Sequence, residues 1–176
     1  VAAFAYFFSL SVDACTARAN NNFFCGLFHD LPEVLTRDII SPVKASVEGL
    51  DKMIRRYEHE AMNERILPLL PDGWHDELRW YTEEEFTKTW QSGQIDPIQR
   101  HAGDIPAELN RDDCNPMDGQ LIGVCDKLAA YIEASASIRT GIRPTELEDG
   151  KRALYRRFRN AKVAGLQLGY LFEYFR

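Results

Sequence analysis

The sequence has few cysteines, and their arrangement excludes two common roles. It contains four cysteines in 176 residues, and no two of them form a C-x-x-C pair. A structural zinc ribbon would need such pairs. A disulfide framework is not expected either, because the hydrophobic share of 45% is enough for a sizeable core in a chain of this length. The cysteine usage therefore predicts a reducing, cytoplasmic setting.

Membrane and export signals are also lacking. The apolar run that begins at Val1 is too short to span a bilayer, and it has neither a basic region nor a cleavage site. No acylation motif or polybasic tract indicates a membrane partner. Because the chain begins without methionine, in what reads as the middle of a core helix, we expect a fragment of a longer protein.

An excess of basic residues is absent as well. The formal net charge is −6, whereas proteins that bind nucleic acid in general carry a basic surface that releases counterions. We therefore predict no nucleic-acid partner. A small phosphorylated substrate remains compatible with this charge, because a metal ion and a few cations can reverse the field within one pocket.

No stretch alternates between apolar and polar residues as a strand would, and there is no internal repeat. Apolar residues recur instead at helical spacing. Asn20 to Asn22 predict a turn, and Asp118 is suited to cap the helix that follows it. The pattern predicts helices over residues 1–19, 23–30, 46–70, 74–90, 120–138, 144–162 and 163–175.

We therefore predict an all-α fold in a single domain. Residues 1–140 are expected to form its core, with an irregular insertion at about 91–115 that is rich in Gly, Pro, Asp and Asn. Residues 141–176 are expected to add helices that pack on this core. The aromatic C terminus is typical of core or of a homodimer contact. A solvated face is the usual role of the basic cluster Arg152, Arg156, Arg157 and Arg159.

The residues with the strongest chemical signal are His29 and Asp30, at the end of an apolar helix, and Asp126, within another. Burying an imidazole or a carboxylate is costly unless the group is paired or binds metal. Both types are good ligands for divalent metals. The alternative is structural: a hydrogen bond between His29 and Asp30, with Asp126 paired to an arginine.

The segment from His29 to Lys44 resembles the HD-domain phosphohydrolases, and most closely the branch that contains the bacterial 5′-deoxynucleotidases. That branch shows H-D-x-x-E-V-L-T-x-D-x-x-x-P-V-K, and every fixed position is matched here. The later segment Val124 to Tyr131 resembles its second motif, an Asp on an apolar helix. The resemblance implies an HD-domain helical fold and a metal-dependent phosphohydrolase.

In that family a first His, the His-Asp pair and a distant Asp hold the metal. The resemblance therefore implies His29, Asp30 and Asp126 as ligands of one divalent ion, which could be Mn, Co, Fe, Ni, Zn or Mg. The first His is not in this chain. In one register Phe8 replaces it. In the other, which we favour because it loses no ligand, it lies four residues before Val1.

The resemblance also implies roles for four further residues. Glu33 and Asp38 match the acids that orient or deprotonate the attacking water or handle the leaving group. Lys44 and Arg37 could contact the phosphate of the substrate. Glu33 could instead be a carboxylate in the first turn of a helix, and both basic residues could simply be surface residues.

The predicted function is hydrolysis of phosphomonoesters, with nucleoside 5′-monophosphates as the substrate class that the branch implies. A second hypothesis is a non-catalytic module that binds a nucleotide or regulates a larger chain, which a loss of the first His at Phe8 would favour. A third, a helical domain with only a structural role, requires His29 and Asp30 to lie far from Asp126.

Overall fold

The computed structural model describes residues 1–36, 49–91, 99–101 and 104–176. They form two compact units. The first unit comprises Val1–Gly26 and Glu85–Arg176, and the second comprises Leu27–Glu84. Helices dominate the described residues, which confirms the predicted all-α class. The predicted division into residues 1–140 and 141–176 stays a prediction.

The helices are numbered in chain order. The α-helices are α1 (Ala2–Ser11), α2 (Thr16–Phe28), α3 (Leu50–Ala61), α4 (His75–Glu83), α5 (Gly119–Arg139), α6 (Thr145–Phe158) and α7 (Gly169–Tyr174). Single turns of 3₁₀ or π helix lie at Leu31–Leu35, Met62–Ile66, Leu67–Leu69, Asp72–Trp74 and Asp112–Cys114. Among the described residues, no helix has the length and apolar character to cross a membrane.

In the part of the chain that the structure describes, five short strands accompany the helices of the first unit. Strands β1 (Lys88–Trp90), β2 (Gln99–His101) and β3 (Met117–Asp118) form a sheet in the order β2-β1-β3, and both pairings are antiparallel. A hairpin joins β4 (Lys162–Val163) to β5 (Leu166–Gln167). Strands of two or three residues are too short to show an alternating pattern, so the sequence did not predict them.

Helix α5 forms the centre of the first unit. It packs against α1, α6 and α7. Its buried side chains lie on nearly every side of the helix, as expected for a helix that is apolar almost all round; they include Leu121, Ile122, Val124, Cys125 and Leu128. The predicted cap is confirmed, because the Asp118 carboxylate accepts a hydrogen bond of 3.1 Å from the Leu121 amide.

A buried polar network ties α1 and α2 to the start of α5. Arg18 Nη2 lies 2.6 Å from Oδ2 of Asp118, and both side chains are almost fully buried. The Asn22 side chain donates to Ser9 Oγ over 2.8 Å and accepts from the Asp118 amide over 2.8 Å. These contacts offset much of the cost of burying the four side chains, while Nε of Arg18 has no hydrogen-bond partner among the described residues.

The turn predicted at Asn20 to Asn22 is wrong, because these residues lie inside α2. The chain turns earlier, between α1 and α2, where Asp13 has a φ of 51°. The amides of Asn21 and Asn22 are used in tertiary contacts: Asn21 Nδ2 donates to Asn115 Oδ1 over 2.8 Å and to the Pro116 carbonyl over 3.0 Å. These contacts outweigh the local preference of asparagine for turns.

The helix predicted over residues 74–90 is shorter than expected, since α4 ends at Glu83 and β1 begins at Lys88. The strand pairs on both edges, with Lys88 opposite His101 on one side and opposite Asp118 on the other. The backbone of Thr87 also comes very close to Gly119: a Cβ at residue 119 would lie 2.2 Å from the Thr87 nitrogen. Glycine is therefore required there.

The single helix predicted over residues 163–175 is also wrong. The hairpin of β4 and β5 occupies its first half, and α7 covers only Gly169–Tyr174. Ala164 and Gly165 both have positive φ values, 51° and 87°. Two such residues between paired strands form the tight turn that hairpins favour.

The second unit has a small apolar core. Met62, Leu67 and Leu78 are buried in it. Partly buried side chains pack around these three residues, namely Phe28, Leu31, Leu35, Ile66 and Leu70. The segment after α2 is thus fastened to the turns that follow α3.

Candidate functional site

His29 lies directly after the last residue of α2, in the second unit. It is 9% exposed, and its Nε2 lies 3.1 Å from Oδ2 of Asp30. The Asp30 side chain is 66% exposed. A sheltered imidazole therefore lies against a carboxylate that solvent can reach. This contact fits the structural alternative for the pair, and it also places a nitrogen and an oxygen donor side by side.

The chain after His29 is held in place by local hydrogen bonds and by packing. Pro32 lies in the first turn of the 3₁₀ helix Leu31–Leu35, where its missing N–H costs nothing. The Glu33 amide donates to the Asp30 carbonyl over 3.0 Å. Leu31 and Leu35 pack on the apolar core of the second unit. These contacts orient the backbone that carries the His-Asp pair.

Glu33 is half-buried in this turn. The turn also ends on a residue with a specific contact, because Thr36 Oγ1 donates to Glu58 Oε1 over 2.7 Å. Glu58 lies on α3 and is 9% exposed.

Glu58 is a buried acid that was not among the predicted site residues. The usable signal was its spacing of four residues from Ile54, which places both side chains on one side of α3. Ile54 is 7% exposed, so that side of the helix is buried. The Glu58 carboxylate therefore connects α3 to the residue that follows the Leu31–Leu35 turn, through its hydrogen bond with Thr36.

Asp126 lies on α5, in the first unit. Its side chain is 23% exposed, and Oδ2 lies 2.8 Å from Nζ of Lys127. The arginine partner that the structural alternative predicted for Asp126 stays a prediction. The first unit thus presents a carboxylate that is partly sheltered and carries a flexible, exposed cation beside it.

Arg37, Asp38 and Lys44 lie outside the described residues, so their predicted roles stay predictions. Within the described ranges, no group of three or more His, Cys, Asp or Glu side chains is arranged to hold a metal ion. His29 and Asp30 belong to the second unit and Asp126 to the first. Their joint role as ligands also stays a prediction.

The cysteines of the first unit offer no reactive thiol beside Asp126. The pKa of Cys125 is raised to about 12, chiefly by burial and also by the nearby carboxylates of Asp118 and Asp126. Burial likewise raises the pKa of Cys25. Both thiols therefore stay protonated near neutral pH and are not nucleophiles.

Comparison with known proteins gives one match. The family model described as the HD domain matches residues 1–155. The matched range contains the His-Asp pair, Glu33 and Asp126, and it ends within α6. Neither the curated proteins nor the solved structures contain a significant match to the chain.

Proposed function

The chain belongs to the HD-domain family, and we propose that it is a phosphomonoesterase that acts on nucleoside 5′-monophosphates. Proteins of this family are in general metal-dependent phosphohydrolases. The observation that carries the proposal is the buried imidazole of His29, with Nε2 3.1 Å from the carboxylate of Asp30 at the end of α2. The nucleotide substrate rests on the resemblance of residues 29–44 to the 5′-deoxynucleotidase branch.

His29, Asp30 and Asp126 would hold one divalent ion. The donor set of one imidazole and two carboxylates suits Mn, Co, Fe, Ni or Zn, and Mg where carboxylates dominate. The ion would supply Lewis-acid activation of the phosphoryl group and of water. Two of the three donors already lie side by side. The proposal requires Asp126 to complete the set.

The remaining residues would handle protons and charge. In the reaction, the oxygen of a water molecule bonds to phosphorus, the bond between phosphorus and the nucleoside oxygen breaks, and that oxygen takes up a proton. Glu33 would accept the proton of the attacking water, and Asp38 would donate the proton that the leaving oxygen requires. Arg37 and Lys44 would pair with the phosphate oxygens.

The first test measures metal content and phosphate release for the natural chain purified without chelator. Nucleoside 5′-monophosphates are offered with Mn, Co or Mg, and nucleoside 3′-monophosphates serve as the substrate control. We expect stoichiometric metal and turnover of the 5′-monophosphates. His29→Ala and Asp126→Asn should each lower both readouts, with kcat/KM falling about 100-fold or more.

Asp72→Asn is the matched control, because the Asp72 side chain is fully exposed. It should leave metal content and kcat/KM unchanged. Bound metal without turnover of any phosphomonoester would replace the enzyme with the non-catalytic nucleotide-binding module. Unchanged metal content in Asp126→Asn would remove Asp126 from the ligand set.

A further inference from the structure

A basic pocket lies in the first unit, at residues that the proposed reaction does not use. Its volume is about 450 Å³, which is within the usual range for small-molecule sites. Five of its lining residues are cations and only Glu148 is an acid. The cations come from α6 and from the C-terminal residues: Lys151, Arg152, Arg156, Arg159 and Arg176.

These cations differ in how far they are neutralised. Arg152 is paired with Asp149 and lies 3.8 Å from Glu148, so it also offsets the one acid of the lining. Arg176 lies 3.5 Å from Glu173. Among the described residues, no carboxylate pairs with Lys151, Arg156 or Arg159. The pocket therefore carries an excess of positive charge in a chain whose net charge is −6.

Lys151 lies close to other positive charges of the pocket. It is half-buried, its Nζ lies 5.5 Å from the centroid of the Tyr131 ring, and it donates to the Arg176 carbonyl over 3.0 Å. Burial lowers the pKa of Lys151, and the nearby Arg139 and Arg176 lower it further. An anion in the pocket would relieve this repulsion.

Tyr131 is the buried aromatic residue of the lining. Its side chain is fully buried, with its ring 5.2 Å from that of Phe172. Burial raises the pKa of the Tyr131 hydroxyl, and a hydrogen bond with Ser135 acts in the opposite direction. This hydroxyl has almost no accessible surface, so it belongs to the core and not to the group that would contact a ligand.

We propose that this pocket is a binding site for a small ligand that carries a phosphate or diphosphate group. Guanidinium and ammonium groups have only donors, so the lining matches a ligand with several acceptor oxygens and negative charge. The concave shape and limited volume favour a small molecule over a nucleic-acid strand. None of the residues proposed for metal binding or proton transfer belongs to the lining.

The test measures binding of inorganic pyrophosphate by isothermal titration calorimetry, with inorganic phosphate as a second probe. EDTA is present throughout, so that no metal centre contributes to the signal. The His29→Ala protein is titrated in parallel and should bind equally well. We expect one saturable site, whose affinity falls as the salt concentration rises.

Three variants probe the pocket. Arg156→Gln and Arg159→Gln should each raise the Kd for pyrophosphate about tenfold, because each removes a charge-assisted contact. Tyr131→Phe keeps the buried ring and removes only the hydroxyl. It should leave the Kd for pyrophosphate unchanged, because this hydroxyl has almost no accessible surface that a ligand could contact.

Arg157→Gln is the matched control, because Arg157 lies on the same helix but packs over the Phe158 ring, away from the lining. Its Kd should equal that of the unsubstituted chain. Absence of saturable binding, or equal losses in Arg157→Gln and Arg159→Gln, would overturn the proposal. So would a single-stranded oligonucleotide that binds more tightly with increasing length, since the basic surface would then serve a polymer.

The outcome is separable from that of the proposed hydrolysis. Loss of turnover with intact pyrophosphate binding would remove the phosphomonoesterase and keep the pocket. Turnover without pyrophosphate binding would do the reverse.

Discussion

The two units are built differently. The first unit is centred on α5 and contains the buried Arg18–Asp118 ion pair, buried asparagines and stacked aromatic rings. The second unit depends on a small apolar core of Met62, Leu67 and Leu78. Of the largest fully buried side chains in the described residues, only Leu67 belongs to the second unit. The His-Asp pair therefore lies in the unit that has fewer large, fully buried side chains.

Local stability should follow this division. Segments with few buried contacts open at a lower free energy than the rest of a protein, and binding residues are often found in them. His29 and Asp30 lie in the less buried unit, and Asp126 lies on its more buried counterpart.

Asp118→Ala should cause the largest loss. It leaves Arg18 buried without its carboxylate and removes the cap of α5, so we expect the free energy of unfolding to fall by about 3–5 kcal/mol. Urea denaturation followed by circular dichroism measures this change. Asp113→Ala is the control, because it breaks the exposed pair with Arg111 and should cost less than about 1 kcal/mol. Equal losses would show that the buried pair does not support the first unit.

Leu67→Ala should destabilise the second unit by about 2–4 kcal/mol, because it leaves a cavity in a core that has few other buried side chains. Hydrogen exchange measured by mass spectrometry should show faster exchange in α4 and little change in α5. Leu128→Ala, at a fully buried position of α5, should show the opposite pattern. Faster exchange in α5 after Leu67→Ala would mean that the two units open together.

Cysteine alkylation should report on the first unit alone, because all four cysteines lie outside residues 27–84. Cys15 is partly exposed, whereas Cys25, Cys114 and Cys125 are buried. The pKa of Cys125 is raised to about 12, and alkylation requires the thiolate. At pH 8 only about one Cys125 in 10,000 is therefore ionised.

Iodoacetamide should accordingly modify Cys15 first, with Cys125 reacting only after the first unit opens. Peptide mass mapping over time measures the order. Cys125 reacting as fast as Cys15 would contradict the burial of α5.

Much of the helical framework could be predicted from local signals. Asp118 comes directly before a long run of mostly apolar residues, and this pattern predicts a capped helix. The structure has that helix, α5, from Gly119 onwards with Asp118 as its cap. The turn at Asn20 to Asn22 was wrong because the partners of Asn21 and Asn22 are far away in sequence, at Asn115 and Asp118. Local patterns carry no information about such contacts.

The candidate site was predictable only in part. The contact of His29 with Asp30 follows from their adjacency at a helix end. Glu58 was missed because its neighbours in sequence are charged, although its burial follows from the helical period. The predicted solvated face is confirmed, because Arg152, Arg156, Arg157 and Arg159 are all exposed. The sequence did not show that three of these arginines border a pocket.

Arg18 and Asp118 form a buried ion pair but are 100 residues apart in sequence. They are therefore synthesised at different times. The first unit begins with Val1–Gly26 but is completed only by Glu85–Arg176, whereas the second unit is one continuous segment. On a ribosome that adds about 5–20 residues per second, α1 and α2 wait about 5–20 seconds for α5. During that interval α1 lacks the helix α5 against which it packs in the folded unit, so its apolar side chains are available to a nascent-chain chaperone.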